Sequence, residues 1–295
     1  MKDRHTPFFV FRYLVTLNNS TTSLFHDLQR TKEELMCEII DNLVVNTKTK
    51  WKLGDNEYIF YGWQSDEEIK ILKFARVKNE KIYQEGDTDI EVNEIQETKF
   101  VFLFIDLKHQ IIFLERNGSV FSSVDNAINT FSEYLREKVK GYGYAVSTYP
   151  LVSKRKFWQY IEEADKIYEL SLELNAPNLA FLGGNKTRDV LEEIKEVTNN
   201  EKFDMSIKNS EGKLKIAKEA LGDWIDYVRE VGGKYMLSYE TEGEKITKNS
   251  KTDTKKLTIL KKKVDKYTQK ELREIRLKFE SINRLETRDD YDEEE

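Results

Sequence analysis

Asp106-Leu107-Lys108 sits between two apolar runs in "KFVFLFIDLKHQIIFLERN", and a carboxylate-x-lysine pair is the element that metal-dependent nucleases use. There the carboxylate holds a divalent cation while the ammonium steadies the attacking water. The element is too short to be specific. Such a site needs at least one further acidic ligand, for which Glu97, Glu115 and Asp87 are the candidates. Aspartate is also a favoured turn residue, because its carboxylate bonds nearby backbone, so the segment reads first as a turn. A phosphate loop fails at "FLGGNKTRD": Asn185 stands directly before Lys186, where glycine is required. Those glycines suit a turn before a helix capped by Asn185 or Thr187. His5, His26 and His109 are isolated and accompanied by one cysteine, Cys37, so no zinc set is expected. Cys37 itself falls in the helical pattern "ELMCEIIDNL", where a small buried hydrophobe belongs. The residues therefore predict no catalytic group, no metal and no cofactor.

Positive charge is the stronger signal. The formal net charge is -6, yet Glu244–Phe279 holds thirteen Lys or Arg against five Asp or Glu. Clustered lysines neutralise phosphates and gain affinity by releasing counterions, which gives sequence-independent, salt-sensitive binding. Lys255, Lys256, Lys261, Lys262, Lys263 and Lys266 are the principal candidates, with Lys213 and Lys215 in "EGKLKIAK" beside them. The alternative is a solvated helix face whose lysines only keep the protein dissolved. Lys154, Arg155 and Lys156 precede Phe157, Trp158 and Tyr160, a basic-aromatic mixture that single-stranded nucleic-acid sites also use. Packing between domains is the competing use of those rings. Lysines are point charges suited to phosphates, so base-edge reading is not expected.

These residues need elements to hold them. With 35% charged residues but 12% aromatics, the chain reads as globular with a charged surface. Its length allows two modest domains. No apolar run approaches the roughly 18 to 20 residues of a membrane span, and no signal peptide is legible, so the protein is expected in the cytoplasm without direct membrane insertion. Strands are predicted at Phe8–Leu17, Glu57–Trp63, Ile69–Val77 and Lys81–Tyr83, with turns at "QSDEE" and "KNEK". Thr31 and Glu34 form a capping-box pattern before a helix to about Leu43. Lys99–Asn117 reads as a central hairpin, followed by a helix started by Ser122 or Ser123 and ended before Gly141, then the strand "YGYAVSTYPLV".

The second half alternates strand and helix: "IYELSLELNAP", "KTRDVLEEIKEVTNN", "KFDMSIKN", a helix over Lys213–Val231 and "KYMLSYETEG". "KITKNSKTDTKK" reads as an exposed loop. Thr268 and Glu271 then cap a helix with Leu272, Ile275, Phe279 and Ile282 on one stripe, which could form a dimer or dock a partner. The fold class is α+β, with two domains, each a mainly antiparallel sheet with helices packed on it, plus a C-terminal helix. The expected boundaries are 1–150, 151–285 and an acidic, disordered tail at 286–295.

Four segments carry a resemblance: "KFVFLFIDLKHQIIFLERNGSVFSS" leading into a helix, "IYELSLELNAP", "FDMSIKNSEGKLKIAKEAL" and "YMLSYETEGEKI" through "DKYTQKELREIRLKF". In pattern and order of elements, about residues 60–285 resemble the RexA family of phage exclusion and prokaryotic antiphage defence. The resemblance implies a non-enzymatic, cytoplasmic, dimeric protein that binds DNA largely without sequence preference. It also implies a sensor of infection that works with a membrane-associated or nuclease effector. It supplies no catalytic residue, and the lysines above come from charge clustering. A metal-dependent nuclease using Asp106 and Lys108, or an interaction module without nucleic acid, are the other readings.

Overall fold

The computed structural model describes residues 4–17, 30–85, 89–175, 186–198, 200, 202–230, 232–262 and 264–284. In chain order the elements are β1 (Arg4–Leu17), α1 (Lys32–Val45), β2 (Thr49–Leu53), β3 (Asn56–Ser65), β4 (Ile69–Glu85), β5 (Ile90–Asp106), β6 (Ile111–Glu115), α2 (Val124–Lys140) and β7 (Tyr144–Pro150). Then follow α3 (Lys154–Glu163), β8 (Lys166–Asn175), α4 (Lys186–Thr198), β9 (Lys202–Lys208), α5 (Lys218–Glu230), β10 (Gly233–Thr241), β11 (Glu244–Asn249), β12 (Lys256–Lys261) and α6 (Gln269–Arg284). The class is α+β. One sheet has the order β12-β1-β6-β5-β4-β3-β2 with β7 on β1, and the other β11-β10-β8-β9. Every pairing from β2 to β6 and from β8 to β11 is antiparallel. Among the described residues no helix is long and apolar enough to cross a membrane.

The chain forms two compact units, one of Met1–Phe9, Leu17–Ser147 and Leu257–Leu277, the other of Val10–Thr16, Thr148–Lys256 and Lys278–Glu295. In the first unit, α1 and α2 cover one face of the sheet. Phe60 and Phe74 stack at 4.7 Å and meet Phe131 and Tyr134 of α2, while Lys70 on that face pairs with Asp41 of α1 at 2.8 Å. A side chain at Gly62 would meet the Val44 carbonyl oxygen at 2.1 Å, so only glycine lets α1 lie this close to β3. On the opposite face, Phe104 contacts Phe8 and Tyr267 edge-on. Gln64 exchanges two hydrogen bonds of 2.8 Å with the Tyr267 backbone.

In the second unit, alternate residues of β8 (Leu170, Leu172, Leu174) and β10 (Tyr235, Leu237, Tyr239) face a core completed by Phe157, Trp158, Leu191, Ile225, Tyr227 and Val228 of the helices. The other face of that sheet carries Glu169, Ser171 and Glu173 of β8 beside Lys202, Asp204, Ser206 and Lys208 of β9, by the strand register.

Both predicted capping boxes form, at Thr31–Glu34 and at Thr268–Glu271. Ser123 caps α2. Three local readings need correction. "KNEK" is not a turn, because β4 and β5 stay paired from Ile69–Asp106 to Glu85–Ile90. "KITKN" is not loop but the strand β11 on β10. The helix expected from Lys213 starts at Lys218, after a bridge that pairs Ile167 with Lys213. Near the expected boundary at 150 the units divide between Ser147 and Thr148, and "SKRK" opens helix α3. The expected tail at 286–295 lies outside the described residues.

Lys261 of β12 is buried and bonds the buried Glu115 of β6, whose other oxygen accepts from the Phe102 amide at 3.0 Å. Removing one member of a buried pair leaves the other charge stranded, so Lys261→Ala should cost about 3–5 kcal/mol of stability. The double change Lys261→Met with Glu115→Gln should recover most of that loss in urea unfolding. A single-variant cost under about 1 kcal/mol, as for exposed pairs, would contradict this assignment.

Candidate nucleic-acid interface

The expected phosphate contacts separate by what surrounds each cation. Lys261 is closed into its pair with Glu115 and is withdrawn from solvent. Lys262 bonds Glu271 at 2.7 Å. That bond, followed by the Thr268 amide, pushes the Glu271 carboxyl down to about 2, so Lys262 is committed to the start of α6. Lys263 lies outside the described residues, as does the side chain of Lys154. Lys213 pairs with Glu211 on the surface, and Lys215 and Lys266 are exposed. Lys256, Arg155 and Lys156 are exposed, and Lys255 is half-buried.

Two basic segments about a hundred residues apart in sequence meet within the second unit. Val152 forms an antiparallel bridge with Thr254, and the Lys255 amide donates to the Leu151 carbonyl at 2.7 Å. Arg155 and Lys156 start just after one side of that bridge; Lys251, Lys255 and Lys256 flank the other. Ser153 caps α3, whose first turn carries no acid. Cations at a helix N-terminus oppose the macrodipole, whereas an anion there is favoured by the free amides and by the cations together.

The loop 250–255 is fixed by its own polar groups. Asn249 accepts from the amides of Lys251 at 3.0 Å and Thr252 at 3.2 Å, which shapes the turn. Ser250 accepts from the Tyr235 amide at 2.8 Å. Asp253 is buried, and its carboxylate accepts from Tyr160 of α3 at 2.9 Å and from Tyr235 of β10. Burial first, and then the bond to Asp253, raise both phenols above their usual range, so they remain donors. One carboxylate thus joins the helix bearing Arg155 and Lys156 to the loop bearing Lys251 and Lys255.

The rings after "KRK" have a different use from base stacking. Phe157 and Trp158 are buried in the core of this unit, and Tyr160 stacks on Tyr239 at 5.9 Å under the ammonium of Lys248. They pack the unit's interior instead of a joint between domains. The stripe Leu272, Ile275, Phe279 and Ile282 is likewise buried by the chain itself, which leaves it no open face for docking. Cys37 is half-buried on α1, and burial raises its thiol.

Asp106 makes the turn between β5 and β6: one oxygen accepts from the His109 amide at 3.0 Å and the other meets the His109 ring at 2.8 Å. Lys108 pairs with Glu68 at 3.4 Å. With Glu115 bound to Lys261, the carboxylates around Asp106 are spent on structure. Asp87 and the side chain of Glu97 lie outside the described residues. Among the described residues no group of three His, Cys, Asp or Glu could hold a metal.

The polar face of the second sheet encloses an open cavity of about 540 Å³ lined by Ser171, Glu173, Asp204, Ser206 and Lys234 among others. Glu173 there bonds Lys202 at 3.1 Å and Lys234 at 3.2 Å, and Lys251 of the 250–255 loop also lines the cavity. Lys251 was not among the expected contacts, although its place in "KTDTKK" could have raised it. The alternating lysines of "KTKWK", Lys48, Lys50 and Lys52, were also missed; a period of two was the available signal.

Comparison with known proteins finds no matching family model and no matching curated protein.

Replacing Tyr160 and Tyr235 together by Phe should strand the Asp253 carboxylate and destabilise the second unit by about 1–3 kcal/mol. Asp253→Ala should do the same from the other side, and the triple variant should be no worse than either. Additive losses in thermal or urea unfolding would show that the three groups do not act as one.

Proposed function

We propose that the chain is a non-enzymatic, largely sequence-independent DNA-binding protein that contacts duplex phosphates through Arg155, Lys156, Lys251, Lys255 and Lys256. The observation that carries this reading is the bridge between Val152 and Thr254, which brings the start of α3 beside the 251–256 loop. On this reading the two short basic runs that the bridge brings near each other act as one surface. The Asp253 clamp holds it in shape before any ligand arrives, so little ordering entropy opposes binding. Lysines and a helix N-terminus read phosphates, not base edges.

The resemblance to phage-exclusion proteins supplies the biological setting: a homodimeric cytoplasmic sensor of infection that passes its signal to an effector protein.

Binding of two unrelated DNA duplexes, followed by fluorescence anisotropy at low and moderate salt, tests the proposal. Lys251→Glu, Lys255→Glu and Lys256→Glu combined should weaken both duplexes alike, by about tenfold or more. The slope of log affinity against log salt should flatten by about 0.9 for each phosphate that the variant no longer neutralises. An unchanged affinity and slope would remove this surface, and a weakening confined to one sequence would contradict phosphate reading.

A further inference from the structure

The face of the first unit's sheet opposite α1 and α2 carries a second basic surface of different character. By register, Lys50 lies across from Ile59 and Lys52 across from Glu57, and Tyr61 lies across from Lys73, itself across from Phe102. Side chains of a strand alternate between faces, so Lys50, Lys52, Tyr61, Lys73 and Phe100 share this one. Trp63, two residues on from Tyr61, lies on the same face, where the Lys73 ammonium lies 3.3 Å from its ring centroid and 4.8 Å from that of Phe100. Lys48 reaches the Tyr61 ring at 5.8 Å. The three β2-side lysines are exposed, and the rings of Tyr61, Trp63 and Phe100 are half-buried.

Rings left half-open on a sheet, with lysines along one side, match the chemistry of a strand whose bases stack while its phosphates meet ammonium groups. A duplex hides its base faces and cannot use the rings. A purely protective role for β2 lysines, which blunt an exposed sheet edge, needs charge but no neighbouring aromatics. Lys73 supports the reading: burial first, and then the nearby Lys261, bring its ammonium down to about 8, and an arriving phosphate would offset that loss of hydration. Glu57, which bonds Lys50 at 2.9 Å, is exchanged for phosphate in such a complex.

We propose that this face, through Lys48, Lys50, Lys52, Tyr61, Trp63 and Phe100, binds a single strand of nucleic acid without sequence preference. The proposal stands apart from the duplex contact assigned to the second unit, because no residue is shared.

Anisotropy of labelled oligothymidylate and oligouridylate, each about fifteen nucleotides, on the full chain is the test. The wild-type chain should bind at least one of them, and which one identifies the sugar the face accepts. Lys48→Glu, Lys50→Glu and Lys52→Glu combined should weaken that binding by about tenfold or more, as should Tyr61→Ala. The Lys251, Lys255, Lys256 variant should leave it unchanged, and the β2 variant should leave duplex binding unchanged. Failure of the wild-type chain to bind either oligonucleotide would overturn the proposal. Equal binding by the β2 variant would do so too, as would equal binding of a polyphosphate of matched charge, which has no bases to stack.

Discussion

A carboxylate taken out of water must find its donors inside the protein, and Asp253 finds them in two tyrosines from different elements. Tyr160 belongs to α3 and Tyr235 to β10, so the loop that carries Asp253 cannot move without breaking a bond to one or the other. The consequence reaches beyond stability. Lys251, Lys255 and Lys256 lie in or next to that loop, and the bridge from Val152 to Thr254 ties its end to the residues just before α3. A surface made of long, flexible side chains thus gains a rigid base.

The same logic withdraws other cations from solvent. Lys261 and Lys262 follow Lys256 by five and six residues in the densest basic stretch, yet one is closed onto Glu115 and the other onto Glu271. Their charges are consumed in joining β12 to β6 and in starting α6. What the protein offers outward is fewer positive charges than the sequence counts, placed more deliberately. On the first unit the arrangement differs, because Lys48, Lys50 and Lys52 border half-open rings instead of a capped helix.

Features set by near neighbours were legible in the sequence. Both capping boxes depend on residues three apart, and the alternation of "IYELSLELN" follows from a sheet with one buried face. Legibility failed where distant partners decide. Pairing with β3 stops at Tyr58–Arg76, whereas β4 and β5 continue as a two-stranded ribbon. A ribbon needs no apolar side, so "KNEK" gave a turn signal inside a strand. The lysine at 261 reads in the sequence as an outward phosphate contact because its partner, Glu115, is 146 residues away. Charge clustering marks the segments 154–156 and 255–256 in the sequence, but not that the bridge from Val152 to Thr254 brings the backbone beside them together, nor that Asp253 bonds Tyr160 of α3.

Hydrogen–deuterium exchange on the full chain, with and without duplex DNA, tests the central claim most directly, because it reports where the ligand lies without altering any residue. The account predicts slowed exchange together at 151–156 and 250–256. Protection of only one of these segments, or of neither while DNA is bound, would contradict the claim that the Asp253 clamp builds one basic surface from two.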